Sequence, residues 1–195
     1  MPDDFIWYDI NPKSDTDIND LYKFLYDNYN DTGDKFGLHY TVELLQWYLS
    51  NPNYFTNLFL VVKYKEKIVG SVIGIPINMS IFDKIDTFIY ISFLCINKKL
   101  RSKSLCGIMI KKIIQRIYLN NLKYIYFASS LLLPAPIHYT TYYHRVLNIK
   151  KMINIGFTSK PPEVTMKNFE QLYKTIDKLT LNLRKINEND IPKCT

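Results

Sequence analysis

Between Phe93 and Cys106 the chain passes from an apolar run, Phe93-Leu94-Cys95-Ile96, through a bend carrying four cations in six residues, Lys98, Lys99, Arg101 and Lys103. An amphipathic segment begins at once, near Leu105. A strand, a basic bend and a helix in direct succession constrain this chain more than any other stretch. The first turn of a helix presents unpaired N–H groups and the positive end of the helix dipole, and both favour an anion. The arrangement suits a phosphorylated carrier at the helix start. Composition alone also allows a solvated basic loop, the commoner fate of a charge run.

The elements around this bend read as helices, then strands, then alternating helix and strand. Asp17–Asn28 places Ile18, Leu21, Phe24 and Leu25 on one helical face, with Ser14, Asp15 or Thr16 as its cap. Residues 29–38 contain Asp-Thr-Gly-Asp and read as a loop, after which Thr41 caps a second helix ending at Leu49. Leu58–Tyr64 and Ile68–Met79 are expected to pair as a hairpin about Lys65-Glu66-Lys67, with Pro76 bending the second strand or marking an edge. Phe88–Ile96 is a third strand. Along Leu105–Leu119, Leu105, Ile108, Met109, Ile113 and Ile117 face inward while Lys111, Lys112 and Arg116 face out. Tyr124–Ser129 reads as a last strand, and the pattern weakens after Gly156. Periodicity by itself supports a mixed α/β domain.

The net charge of +7 calls for an anionic partner, and its distribution narrows the choice. Asp3, Asp4, Asp9, Asp15, Asp17 and Asp20 make the start acidic, whereas residues 98–112 are strongly basic. So local a patch favours a compact anion over nucleic acid. Three cysteines, Cys95, Cys106 and Cys194, show no CxxC pairing, which argues against a disulfide scaffold or a zinc site and for a reducing compartment. No signal peptide or long apolar span is read, so the expected location is cytoplasmic, without metal or membrane span. The Met-Pro start also lacks the glycine that the chain's own myristoylation would need.

Residues Tyr90-Ile91-Ser92-Phe93-Leu94-Cys95-Ile96-Asn97-Lys98-Lys99-Leu100-Arg101-Ser102-Lys103-Ser104 closely resemble the N-myristoyltransferase signature Glu-Ile-Asn-Phe-Leu-Cys-Val-His-Lys-Lys-Leu-Arg-Ser-Lys-Arg. Further likeness runs through Asp20–Tyr29, Tyr40 to Trp47, Val69-Gly70, Ile75-Pro76, residues 133–136 and Tyr142–Asn148. The resemblance implies a GNAT acyltransferase fold, a mixed sheet splayed around an acyl-CoA and flanked by helices. It implies that the backbone amides of Phe93 and Leu94 form an oxyanion hole for a thioester carbonyl. Carrier-binding positions are then Leu94, Cys95, Ile96, Arg101, Ser102, Lys103, Ser104, Leu105 and Cys106. Tyr29, Phe36, Tyr142 and His144 would line the groove for an acceptor peptide. Without the resemblance, the same tyrosines read as half-buried aromatics, His144 as a satisfied core histidine and Cys95 as a packing residue.

By this resemblance the co-substrate is myristoyl-CoA and the acceptor a protein or peptide with an N-terminal glycine. Burying about twelve methylenes at roughly 0.8 kcal/mol each favours a deep apolar slot for the acyl chain. Ser104 stands for a family arginine, Ser92 for an asparagine, Ser130 for a loop glycine, and Cys106 for a small residue. Residues 1–182 are expected to form one acyl-CoA-binding domain, with 183–195 resembling the opening of a second half. That half carries the family's terminal carboxylate base, so Asp31, Asp34, His144 or the Thr195 carboxylate is left to take the role, and a second chain could complete the groove. Two alternatives remain: an acyl-CoA-holding module without turnover, and a GNAT enzyme using a shorter acyl group.

Overall fold

A computed structural model describes residues 2, 4–29, 39–50, 52–81, 83–129, 134–175 and 183–193. Two compact units divide at Ala135 and Pro136. The first carries a five-stranded sheet in sequential order. Its strands are β1 (Phe5–Asp9), β2 (Phe59–Tyr64), β3 (Lys67–Ile81), β4 (Lys84–Ile96) and β5 (Tyr124–Tyr126). The first three pairings are antiparallel, and β4 pairs with β5 in parallel. The crossover between those last two strands is helix α3 (Leu105–Leu119). The mixed α/β class and the sheet flanked by helices agree with expectation.

Helices α1 (Asp15–Asn28) and α2 (Val42–Leu49) begin as their sequences direct. Ser14 Oγ accepts from the Asp17 amide at 3.3 Å, and Thr41 Oγ1 from the Leu44 amide at 3.2 Å. Both helices cover one face of the sheet, where Ile18, Leu21, Leu25, Leu45 and Leu49 meet Phe59, Val61, Ile73 and Ile75. On the opposite face α3 sets Leu105, Met109, Ile113 and Ile117 against Leu60, Val62, Val69, Val72 and Ile89. Both faces of β2 are therefore buried, and its Phe-Leu-Val-Val run is continuously apolar for that reason.

Three expectations need correction. Ile108 is 42% exposed rather than inward, because the buried stripe of α3 runs strictly at i, i+4 and Ile108 falls outside it. The last strand stops at Tyr126, not Ser129, where its pairing with Phe88–Tyr90 also ends. Finally, the acidic start hides β1, with Phe5 to Asp9 paired to Tyr64 to Leu60. Its aspartates serve as anchors. Buried Asp17 receives the Tyr8 hydroxyl at 3.0 Å and the Asn11 amide at 2.8 Å, and Asp9 pairs with Arg116 of α3.

Pro76 lies on β3 beyond the last β2 pair, Phe59 with Ile73, so there β3 is locally an edge with only β4 beside it. In the second unit, α4 (Ile149–Asn154) and α5 (Met166–Leu172) pack together, tied by a Lys150–Glu170 ion pair of 3.0 Å.

Candidate active site

The β3–β4 ladder breaks at one place. Ile73 pairs with Ser92 and Ser71 with Cys95, which leaves Val72 alone opposite Phe93 and Leu94. This is a β-bulge, with Phe93 in the left-handed region at φ 49°. A bulky residue there is uncommon and is held by its surroundings. The Phe93 ring is buried among Tyr29, Tyr40 and Tyr48, with centroids at 5.8, 5.1 and 5.5 Å. Its carbonyl accepts from the buried Ser71 hydroxyl at 2.7 Å.

The bulge also reverses the phase of β4. Ile89 and Ile91 pack toward α3, whereas Phe93 and Cys95 pack toward α1 and α2. Leu94 is left 38% exposed. Since β5 pairs with β4 only as far as Tyr90, the strands no longer pair before the bulge is reached. The splayed sheet that the resemblance implies corresponds to this parting.

Past Ile96 the basic bend tightens into a 3₁₀ turn, Lys98–Leu100. Buried Asn28, at the end of α1, ties the bend down. Its Oδ1 accepts from the Lys98 amide at 3.1 Å, and its carbonyl accepts from the Arg101 guanidinium at 2.8 Å. Arg101 thus turns part of its donor set onto backbone. Ser102 and Ser104 then adopt left-handed φ values of 64° and 62°, and the Ser104 side chain makes no cap bond at the start of α3. The Lys103 amide donates to the Leu100 carbonyl at 3.3 Å, and left-handed residues on either side of it turn the chain as in an anion nest. Lys103 is exposed, Leu105 buried, and Cys106 half-buried with a free thiol.

Tyr29 therefore sits against the bulge as part of an aromatic shelf. Tyr48 packs edge-on against Phe93, and Tyr90 packs on Tyr126 with centroids 4.9 Å apart. Burial first, then the neighbouring tyrosines, push the hydroxyls of Tyr29, Tyr40, Tyr48 and Tyr126 above the ordinary tyrosine value. The nearby Ser92 side chain pulls the other way at Tyr48. Tyr142 and His144 belong to the second unit, where both are exposed and their rings stack at 6.4 Å. Phe36, Asp31, Asp34, Ser130 and Thr195 lie outside the described residues. Sequence reasoning missed Asn28, Tyr48 and Ser71 as site-building residues. Only the Asn-Tyr dipeptide at 28–29 signalled any of them.

Comparison with known proteins gives this architecture a family. Residues 1–140 match the model for the myristoyl-CoA:protein N-myristoyltransferase N-terminal domain. The chain belongs to the N-myristoyltransferase family. It is 37% identical over 195 residues to glycylpeptide N-tetradecanoyltransferase of Plasmodium falciparum, covering 98% of this chain and 48% of that relative. A crystal structure of Saccharomyces cerevisiae N-myristoyltransferase with bound myristoyl-CoA superposes with a TM-score of 0.89 at 29% identity. That match covers 100% of this chain and 45% of the yeast chain. The present chain therefore spans about half the length of these relatives. An Arabidopsis thaliana glucosamine-6-phosphate N-acetyltransferase shares the fold alone, with a TM-score of 0.50 and 12% identity over 72% of this chain and 99% of that one. This likeness places the sheet in the GNAT-like class. Among the described residues, no helix is long and apolar enough to cross a membrane.

Proposed function

We propose that this chain is an acyltransferase that binds myristoyl-CoA and passes its acyl group to the amine of an N-terminal glycine. The bulge at Phe93–Leu94 carries the reading. It lies out of the ladder at the mouth of the splayed sheet, one short strand end away from the basic bend. The nest at Ser102–Leu105 would take the diphosphate, with Lys98, Lys99 and Lys103 as counter-charge. The thioester would reach back along Leu94, Cys95 and Ile96 toward the bulge.

In the reaction the amine nitrogen forms a bond to the thioester carbon, the C–S bond breaks, and CoA leaves as the thiol. Negative charge gathers on the carbonyl oxygen in between. The Phe93 and Leu94 amides would stabilise it, one such donor being worth roughly 3–4 kcal/mol of barrier. Their aim depends on backbone geometry, which Ser71 and the aromatic shelf hold in place.

Tyr29 would border the acceptor groove, to which we also assign Phe36, Tyr142 and His144. We take residues 1–182 as the acyl-CoA-binding domain and 183–195 as the opening of a second half. The same reading places the protein in the cytoplasm, in lipoprotein synthesis. Incubation with myristoyl-CoA and a glycine-starting peptide tests the proposal by mass spectrometry of the peptide. A tetradecanoylated product above background supports it. Acyl-CoA binding without transfer at saturating peptide overturns the transferase and selects a non-catalytic acyl-CoA-holding module. Equal affinity for acetyl-CoA and myristoyl-CoA removes the long acyl slot.

A further inference from the structure

The last turn of α1 holds both ends of the segment along which the carrier would lie. Asn28 closes that helix and is only 7% exposed. Its side-chain amide is engaged at both poles. Nδ2 donates to the Phe24 carbonyl one turn back at 2.9 Å, which leaves Oδ1 to accept from the Lys98 amide at 3.1 Å. The Asn28 carbonyl, at the negative end of the α1 dipole, accepts from the Arg101 guanidinium at 2.8 Å. Two points of the basic bend are thus fastened to one residue far back in the chain.

The next residue grips the other end. Tyr29 closes α1 through its amide, which donates to the Leu25 carbonyl at 2.8 Å, and sets its ring 5.8 Å from that of Phe93. From the bulge to the bend the chain runs through Leu94, Cys95, Ile96 and Asn97, and the Asn97 amide donates to the Val69 carbonyl at 2.9 Å. Leu21, Phe24 and Leu25 seat α1 in the core against the sheet, so its C-terminal end is a stiff reference for both places.

We propose that Asn28 is a positioning residue that sets the span between the diphosphate subsite at the bend and the thioester subsite at the Phe93–Leu94 bulge. The inference rests on the acyltransferase reading and deepens it. A carrier gripped at two places gains from the second grip when the two subsites already stand at the right separation. A bend free to drift would have to be ordered as the carrier binds, and that ordering subtracts from affinity. Asparagine suits the position, because it supplies an acceptor without placing a negative charge beside a diphosphate. Asn28 acts through the bend and not on the reacting atoms.

The full chain is tested with myristoyl-CoA and with myristoyl-pantetheine, which carries the same thioester and no diphosphate. Calorimetry gives the affinity for each donor, and single-turnover transfer to a glycine-starting peptide gives the rate from each. Asn28→Leu has the same branched outline without polar groups. It should cut the affinity advantage of myristoyl-CoA over myristoyl-pantetheine about tenfold, the worth of one to two hydrogen bonds. Transfer from myristoyl-CoA should fall by a similar factor, while binding of and transfer from myristoyl-pantetheine stay within about twofold of the parent. Asn28→Asp keeps the acceptor and adds a charge. At about 1 M salt, where the screening length is about 3 Å, it should match the parent at the same salt, and Asn28→Leu should not. Equal losses with both donors overturn the proposal, because Asn28 then supports the fold or the bulge generally. So does an unchanged myristoyl-CoA advantage in Asn28→Leu, an Asn28→Asp variant that stays as weak as Asn28→Leu at high salt, or a parent that binds the two donors alike. A parent that favours myristoyl-CoA yet transfers from neither donor counts against the acyltransferase reading instead, and the affinity ratio still decides the role of Asn28.

Discussion

The two sides of the β4 bulge work by opposite means. On the basic side, function is assigned to backbone: left-handed Ser102 and Ser104, a helix start without a side-chain cap, and lysines in water. On the aromatic side it is assigned to side chains: half-buried rings and hydroxyls whose ionisation burial resists. A polyanion is met by exposed charge and oriented amides, at little desolvation cost. The aromatic side presents half-buried rings among its described residues. The bulge serves both, because it reverses the phase of β4 and turns Phe93 toward the aromatic side while leaving Leu94 partly exposed.

The largest expected effect tests whether that aromatic side holds the bulge. Phe93→Ala removes a buried ring packed on three tyrosines and should destabilise the fold by about 3–5 kcal/mol, read by denaturant unfolding. A loss below about 1 kcal/mol would show that the left-handed backbone stands without it. Next, Ser71→Ala removes the hydroxyl that reaches the Phe93 carbonyl at 2.7 Å and should cost about 1–3 kcal/mol. It should lower the transfer rate more than it weakens myristoyl-CoA binding. Equal losses in both would mean that Ser71 supports the fold generally.

A smaller effect separates the two sides by salt. Lys98→Ala with Lys103→Ala should weaken myristoyl-CoA binding about tenfold at low ionic strength, and the deficit should shrink toward 1 M salt, where the screening length is about 3 Å. The stability change caused by Tyr48→Phe, on the aromatic side, should show no such salt dependence. The smallest effect is alkaline. Tyr29, Tyr40, Tyr48 and Tyr126 ionise above the ordinary tyrosine value when folded and near it, at about 10, when unfolded. Their contribution is thus complete below about pH 10 and is lost as pH rises through the folded values. Ultraviolet titration should show a late tyrosinate phase that Tyr48→Phe diminishes, accompanied by unfolding. A single phase at the ordinary value would remove the dry shelf.

Local chemistry made much of this readable in advance. The caps Ser14 and Thr41, the buried stripe of α1 and the strand–bend–helix at Phe93–Cys106 all depend on neighbours a few residues apart. Such signals survive in a linear chain. β1 was not legible, because Asp9 and the nearby acidic residues mask an edge strand whose hydrophobic partners lie more than fifty residues away on β2. Ile108 fits an amphipathic face when periodicity alone is counted, yet only packing against the sheet fixes how wide the buried stripe is.

The site divides along the same line. Short-range order alone specified a basic bend, the start of α3 and the apolar end of β4, since each is a matter of residue type, period and charge within about fifteen positions. The register break that isolates Phe93 and Leu94, the Asn28 clamp on the bend and the convergence of Tyr29, Tyr48, Tyr90 and Tyr126 were decided only on folding. They join α1, α2, β3, β4 and β5, and such contacts exist once the sheet has chosen its register and its two faces have been covered.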